Sequence, residues 1–342
     1  MVRIGVVGYG YWGPNLVRNF AETPGSRVVA VSDLRQQRLD VVSTRYPGIR
    51  AMTDAVELIE SSDVDAVVIS TPVGTHFDLS LRALRADKHV LVEKPITASS
   101  EQALRLIEEA DRRRLVLMVD HTFVYTGAVR KIREIVTSGD LGSVYYYDSV
   151  RVNLGLFQRD VDVIWDLAVH DLSIMNYVLQ VAPVAVSATG VNHVPGGPEN
   201  IAYITLFFED TLIAHVNVNW LSPVKIRRTL LGGSRKMIVY DDNEPSEKVK
   251  VYDKGIEVNE GTDSIYQFLV GYRTGDMWAP KLDGGEALRT EVAHFTRCVE
   301  HGESPITSGK GGLDVVTILE AATQSMKQRG RPVELSANQV HI

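Results

Sequence analysis

Cysteine is almost absent: Cys298 is the only one in a chain of 342 residues. A single thiol excludes an internal disulfide and a thiolate metal cluster, and it fits a reducing compartment. Long apolar runs are missing as well, since nothing approaches the roughly 18 residues that a membrane span needs. The N-terminus leads directly into an apolar β-type segment with no charged leader before it, so no signal peptide is expected and the chain reads as cytoplasmic. There is no excess of positive charge. Lys and Arg number 36 against 43 Asp and Glu, a formal net charge of −7, which removes the electrostatic ground for nucleic acid or an anionic membrane as partner. The nine histidines include no H-E-x-x-H or comparable cluster, so no metal is expected. Internal repeats and low-complexity segments are also lacking. What remains, 44% hydrophobic and 23% charged, is an ordinary globular composition with enough chain for two domains.

The first informative feature that is present lies at the start. Arg3-Ile4-Gly5-Val6-Val7 is a buried-strand pattern that runs straight into Gly8-x-Gly10-x-x-Gly13. Gly8 allows a tight turn out of the strand, Gly10 allows backbone to approach a pyrophosphate, and Gly13 allows the next helix to pack closely on the strand. Pro14 suits the first helical position, Leu16, Val17 and Phe20 give the helix an apolar face, and Pro24-Gly25 end it. The positive end of that helix is where a diphosphate would sit. A second strand, Val28 to Ser32, ends at Asp33, about 20 residues beyond Gly13, where an acid can bind the adenosine ribose and repel a 2′-phosphate. That favours NAD. Arg35 and Arg38 follow closely and keep NADP open as the alternative.

Repeated strand and helix patterns continue to residue 121. Ala66 to Ser70, His89 to Val92 and Leu115 to Val119 are short continuous apolar runs, as strands covered on both faces should be. Between them 53–61, 75–86 and 99–113 carry apolar residues at helical steps, and Ser99 with Gln102 reads as a capping box. This predicts a Rossmann domain with a parallel, doubly wound sheet over 1–121. Beyond it, 127–138 reads as a helix. Extended segments follow at 144–153, 184–191, 201–208, 211–220, 226–231 and 236–240, with Glu209-Asp210 as a tight turn. Helices over about 284–300 and 311–327 finish the chain, and polar residues 241–261 read as an exposed hairpin. Residues 122–342 are therefore expected to form an α+β domain on a large, mostly antiparallel open sheet, the whole chain being α/β plus α+β. Ala202, Ile204, Leu206 and Phe208 alternate with Ile201, Tyr203 and Phe207, so both sheet faces are apolar. A second copy of the chain is the simplest cover, making a homodimer or homotetramer the expected state.

Two constellations carry chemistry. Glu93-Lys94-Pro95 follows a parallel strand at the edge where doubly wound sheets bind ligands, so the Lys94 ammonium points at the cleft. In Trp165-Asp166-Leu167-Ala168-Val169-His170, a helix would put Asp166 and His170 on one face, where a carboxylate can orient an imidazole that takes up a proton. A surface salt bridge is the plainer alternative for that pair.

With Gly8-x-Gly10-x-x-Gly13, Ser70-Thr71-Pro72-x-x-x-His76, Glu93-Lys94-Pro95 and Asp166-x-x-x-His170 together, the chain resembles the glucose–fructose oxidoreductase/inositol dehydrogenase (Gfo/Idh/MocA) family over nearly its whole length. The resemblance implies that Lys94 contacts the substrate hydroxyl and the nicotinamide ribose, that His170 is the general acid/base, and that Asp166 supports it. It also implies that Thr71, Pro72 and His76 lie near the nicotinamide, a helix-capping role being the alternative for His76. The implied cofactor set is Gly8, Gly10, Tyr11, Trp12, Gly13, Asp33, Thr71, Pro72, His76, Glu93 and Lys94; the implied substrate set is Lys94, Arg151, Asn153, Asp166 and His170.

Gly8-Tyr9-Gly10-Tyr11-Trp12-Gly13-Pro14-Asn15, Arg151-x-Asn153-Leu154-Gly155, Trp165-Asp166-Leu167-Ala168 and Gly275-Asp276-x-x-x-Pro280 resemble members that act at C3 of nucleotide sugars. One departure is Glu286-Ala287-Leu288, where that branch often has Glu-Pro-Leu. Arg151, Arg159, Lys225, Arg227 and Arg228 are candidates to meet a diphosphate, each with a solvated surface charge as its plainer reading. The expectation is an NAD-dependent dehydrogenase of a nucleotide-linked sugar, or the reverse ketoreductase. A dehydrogenase of a free sugar or polyol such as inositol is the alternative, and a cofactor-sensing regulator a more distant one.

Overall fold

The computed structural model describes residues 1–155, 161–258 and 270–335. The described chain divides into two compact units, 1–126 with 285–320, and 127–284 with 321–335. The first unit begins β1 (Val2–Val7), α1 (Gly13–Glu22), β2 (Ser26–Ser32), α2 (Gln36–Arg45), β3 (Arg50–Met52), α3 (Ala55–Glu60) and β4 (Ala66–Ile69). It continues α4 (His76–Arg85), β5 (His89–Glu93), α5 (Ser100–Arg113) and β6 (Leu117–Asp120). All six strands are parallel, in the order β3-β2-β1-β4-β5-β6. Ile4, Val6, Val67, Val90 and Val92 are fully buried, because helices cover both faces of such a sheet. Leu16, Val17 and Phe20 seat α1. Asp54 caps α3 by accepting from Val56 N at 2.7 Å, and Ser99 caps α5 by accepting from Gln102 N at 3.3 Å.

The second unit contains α6 (Gly127–Thr137), β7 (Val144–Leu154), a π-helical turn (Ile164–Ala168), α7 (Val169–Leu179), β8 (Ala185–Val191), β9 (Ile201–Phe207) and β10 (Ile213–Asn219). Then come β11 (Leu221–Gly233), β12 (Met237–Asp241), β13 (Val249–Tyr252), β14 (Gly255–Val258), β15 (Val270–Arg273), β16 (Met277–Trp278) and, near the C-terminus, β17 (Val333–Glu334). Nine strands form one sheet in the order β16-β13-β12-β11-β7-β10-β9-β8-β17, antiparallel except where β7 meets β10. Strands β14 and β15 pair separately. Ala202, Ile204 and Leu206 are fully buried, whereas Tyr203 is 57% and Phe207 36% exposed on the opposite face. Segment 241–261 corrects one expectation as far as it is described. It does form a hairpin, β13 pairing antiparallel with β12, but not an exposed one: Val249 and Val251 are buried in the sheet and Lys248 and Lys250 alternate outward.

Helix α8 (Ala287–His301) groups with the first unit. Phe295 packs edge-on against Phe20 of α1 with ring centroids 6.1 Å apart, and Glu286 accepts from Arg18 at 2.6 Å and from Asn19 at 3.1 Å. Ala287 is the first helical residue, the position that proline also favours, so an alanine in place of the proline of Glu-Pro-Leu fits this helix start. Helix α9 (Gly309–Lys327) carries the chain from the first unit to the second.

Candidate active site

The glycine loop is built as its spacing predicts. Gly8 has φ +98, and a Cβ there would come within 2.3 Å of the Ser70 carbonyl oxygen; one on Gly13 would come within 2.2 Å of the Gly8 carbonyl. Only glycine permits these approaches. A Cβ on Gly10 would meet nothing nearer than Arg35 Nη2 at 3.6 Å, so that position faces open space. The N-terminus of α1 has no acidic residue in its first turn and no side-chain cap, which leaves its positive end available to an anion. These residues fit the diphosphate of a dinucleotide.

Asp33 is 8% exposed and sits at the end of β2. It accepts from Tyr9 N at 2.8 Å, Arg35 N at 2.9 Å and Arg35 Nε at 3.0 Å. Burial alone would raise its pKa, but these hydrogen bonds outweigh burial and hold it below the ordinary aspartate value. The Arg35 side chain is itself 59% exposed, so its grip on Asp33 is weak and readily exchanged. Tyr11 is 88% exposed. Trp12 is half-buried, and its indole donates to Asp120 Oδ2 at 2.7 Å.

Thr71 and Lys94 leave the C-terminal ends of β4 and β5 half-buried, with Pro72 exposed beside Thr71. Glu93 pairs across the strands with Asp120. The His76 ring ties the two exits together, with Nδ1 2.8 Å from Pro95 O and Nε2 2.7 Å from Thr71 O. It is 1% exposed and makes no helix cap; the capping alternative is set aside, and the imidazole is a strut between two loops. Burial lowers its pKa, the two carbonyls partly offset that, and the Lys94 ammonium lowers it further.

Asp166 and His170 lie in the second unit with Arg151 and Asn153, while Lys94 lies in the first. The expected uniform helix begins instead as a π-helical turn that contains Asp166, and His170 follows on α7. Such turns concentrate at functional sites. Asp162 starts the turn by accepting from Ile164 N at 3.0 Å and Trp165 N at 3.1 Å; burial pushes its pKa up to about 6. Asp166 and His170 are half-buried, between fully buried Ala168, Val169 and Leu172. Asp166 Oδ2 accepts from the indole of Trp220 at 3.0 Å, and Trp220 is fully buried. A Cβ on Gly155 would come within 2.4 Å of that indole, so the glycine makes room for it. Sequence reasoning missed Trp220, and nothing near it in the chain signals the contact.

Arg151 overturns the surface-charge reading. Its side chain is 4% exposed and its partner Asp171 is 3% exposed, joined at 2.6 Å. Ser149 also donates to Asp171, at 2.5 Å. Asn153 is half-buried on the same strand, Lys225 and Arg228 are exposed on β11, and Arg227 pairs with Asp242 at 3.4 Å. Arg159 lies outside the described residues. The Gly275-Asp276 segment is tied to the end of β13, where Asp253 N donates to Asp276 O at 2.8 Å. Among the described residues, no group of three or more His, Cys, Asp or Glu is arranged to hold a metal, and no helix is long and apolar enough to cross a membrane.

The strand order, the glycine loop and the acid at the end of β2 define a dinucleotide-binding domain. Residues 2–121 match the profile described as oxidoreductase family, NAD-binding Rossmann fold, and 129–239 match the GFO/IDH/MocA C-terminal domain. The two matches span more than half of the chain, which belongs to the Gfo/Idh/MocA oxidoreductase family and is NAD-binding. It is 26% identical to myo-inositol 2-dehydrogenase of Thermotoga maritima, over 98% of each chain. It is 34% identical to UDP-N-acetylglucosamine 3-dehydrogenase of Acidithiobacillus ferrooxidans over 56% of this chain and 58% of that one. A solved structure of the Acidithiobacillus ferrooxidans enzyme superposes with a TM-score of 0.79 at 25% identity, covering 95% of this chain and 98% of the other.

Proposed function

We propose that the protein oxidises a secondary hydroxyl, at C3, of a nucleotide-linked sugar, or runs the reverse ketone reduction. Bound NAD supplies the acceptor for the hydride that leaves the carbinol carbon; Gly8, Gly10, Tyr11, Trp12, Gly13, Asp33, Thr71, Pro72 and Glu93 would hold it, with His76 bracing the two loops beside it. His170 takes the hydroxyl proton. Asp166, with one oxygen committed to Trp220, stabilises the charged imidazole. Lys94 donates a hydrogen bond to the substrate oxygen and stabilises the negative charge that develops there.

The observation that carries the substrate class is the 34% identity to a UDP-N-acetylglucosamine 3-dehydrogenase. Of the candidate cations described, Lys225 is the exposed one left for a diphosphate, since Arg151 is engaged with Asp171, Arg227 pairs with Asp242, and Arg228, opposite Val150, is on the outer face of the sheet with Tyr203. Each charge-assisted bond to the diphosphate contributes about 1.5–3 kcal/mol, so truncation to the free sugar should cost orders of magnitude in kcat/KM. The test is NADH formation with UDP- and dTDP-sugars set beside inositol and free hexoses. Equal turnover of inositol would replace this reading with a polyol dehydrogenase, the second reading, which the end-to-end match to myo-inositol 2-dehydrogenase favours. The exposed Tyr203 and Phe207 on the outer sheet face support a homodimer or homotetramer; a monomer in sedimentation at micromolar concentration would refute it.

A further inference from the structure

Glu291, in the first half of α8, is fully buried. Neither of its carboxyl oxygens meets a hydrogen-bond donor. What it lies against is the carboxylate of Asp120 and the hydroxyl of Thr122. The Thr122 proton is already committed, donated to Asp120 Oδ1 at 2.5 Å, and Asp120 Oδ2 takes the Trp12 indole N–H at 2.7 Å. Two neighbouring carboxylates cannot both be ionised away from water. Asp120 has two donors and Glu291 none, so the proton between them belongs on Glu291, which can then donate to Asp120. Burial, with the Asp120 charge second, raises the Glu291 pKa well above the ordinary value.

The groups facing this pair are consistent with that placement. Glu93, across from Asp120 on β5, adds negative charge, and Lys94 follows it. His121 is 3% exposed and held neutral, its pKa pushed down to about 3 by burial and by Lys94. Tyr125, on the short helix beside α8, has its hydroxyl 3.0 Å from Thr307. None of these gives Glu291 a hydrogen bond.

The object held is part of the glycine loop. Trp12 stands between Gly10 and Gly13, and its carbonyl accepts from Asn15 N at 2.9 Å, which starts α1. We propose that Asp120 and Glu291 form a proton-sharing carboxyl pair whose ionised member, Asp120, anchors Trp12 and so sets the glycine loop for the dinucleotide diphosphate. Both are positioning residues, acting through Trp12. The proposal rests on NAD binding by this domain, which wild-type NADH affinity reports separately.

The test uses the full chain and NADH as the probe, titrated by energy transfer from protein to nicotinamide. Glu291→Leu removes the proton donor and Trp12→Phe removes the anchored N–H; each should weaken NADH binding roughly ten-fold, the scale of one charge-assisted bond. The double variant should bind no more weakly than Trp12→Phe alone, because both break one chain of contacts. Glu291→Gln, which keeps a donor for Asp120, should stay within about two-fold of wild type. Infrared difference spectra between wild type and Glu291→Gln should contain the carbonyl stretch of a protonated carboxylic acid. Additive losses, a Gln variant as weak as the Leu variant, or the absence of that band would each overturn the proposal. If Glu291→Leu does not fold, the Gln variant and the infrared band still decide.

Discussion

Arg151→Met separates a structural from a substrate-binding role for a residue that the sequence offers as a diphosphate ligand. The substitution keeps most of the side-chain volume but leaves the Asp171 carboxylate, 3% exposed, with the Ser149 hydroxyl and no cation. Breaking a buried ion pair by removing one partner costs about 3–5 kcal/mol, because the remaining charge is stranded in a low dielectric. The pair lies in a unit of fewer than 200 residues, where 1 kcal/mol moves Tm by about 2–4 °C. The transition of that unit should therefore fall by about 6–20 °C. Circular dichroism melts of wild type, Arg151→Met and the double variant Arg151→Met/Asp171→Leu provide the assay. The double variant removes both charges and should recover most of the loss, since apolar replacement of a whole buried pair is often neutral or stabilising. An unchanged Tm for Arg151→Met, together with a raised KM for the sugar, would refute the reasoning and return Arg151 to the substrate.

Lys94→Met and His170→Ala should each leave NADH affinity within a few-fold and lower kcat by roughly 10²–10⁴; near wild-type turnover in either would remove the role assigned to that residue. Asp33→Ser combined with Leu34→Arg should shift preference toward NADP, by removing a carboxylate and supplying a partner for the 2′-phosphate. Wild type should bind NADH more tightly than NADPH in a fluorescence titration, and equal affinities would point to Arg35, once it leaves Asp33, or Arg38 as a phosphate reader.

The first 121 residues were legible because their signals are local, whereas α8, expected in the second domain, groups with the first unit. Apolar runs, Gly8, Gly10 and Gly13, and Asp33 at a strand end all act within a few residues or at one fixed spacing. Helix α2 escaped notice because only Leu39 and Val42 of its ten residues are buried, too few for a helical stripe. In β7 the inward face carries Tyr147, Ser149 and Arg151, while Val150 on the other face is apolar enough to mislead. Period-2 alternation gives parity and not the side, so Arg151 looked free for solvent. The contacts behind the candidate site were invisible for a different reason. Trp12 and Asp120 are 108 residues apart and Asp166 and Trp220 are 54 apart, distances over which one sequence has no pattern to offer.

Those contacts share a physical logic. An indole has one polar atom and only donates, so a buried or half-buried tryptophan must find an acceptor, and a carboxylate is the strongest on offer. Trp12 takes Asp120 and Trp220 takes Asp166. In each case the bond runs from a bulky, rotamer-locked ring to a charged group whose direction matters, one beside the glycine loop and the other in the π-helical turn before His170. A flexible donor such as lysine would satisfy the carboxylate equally well without fixing its orientation. Anchoring by tryptophan fixes the direction of both carboxylates, which a freely rotating donor would not do.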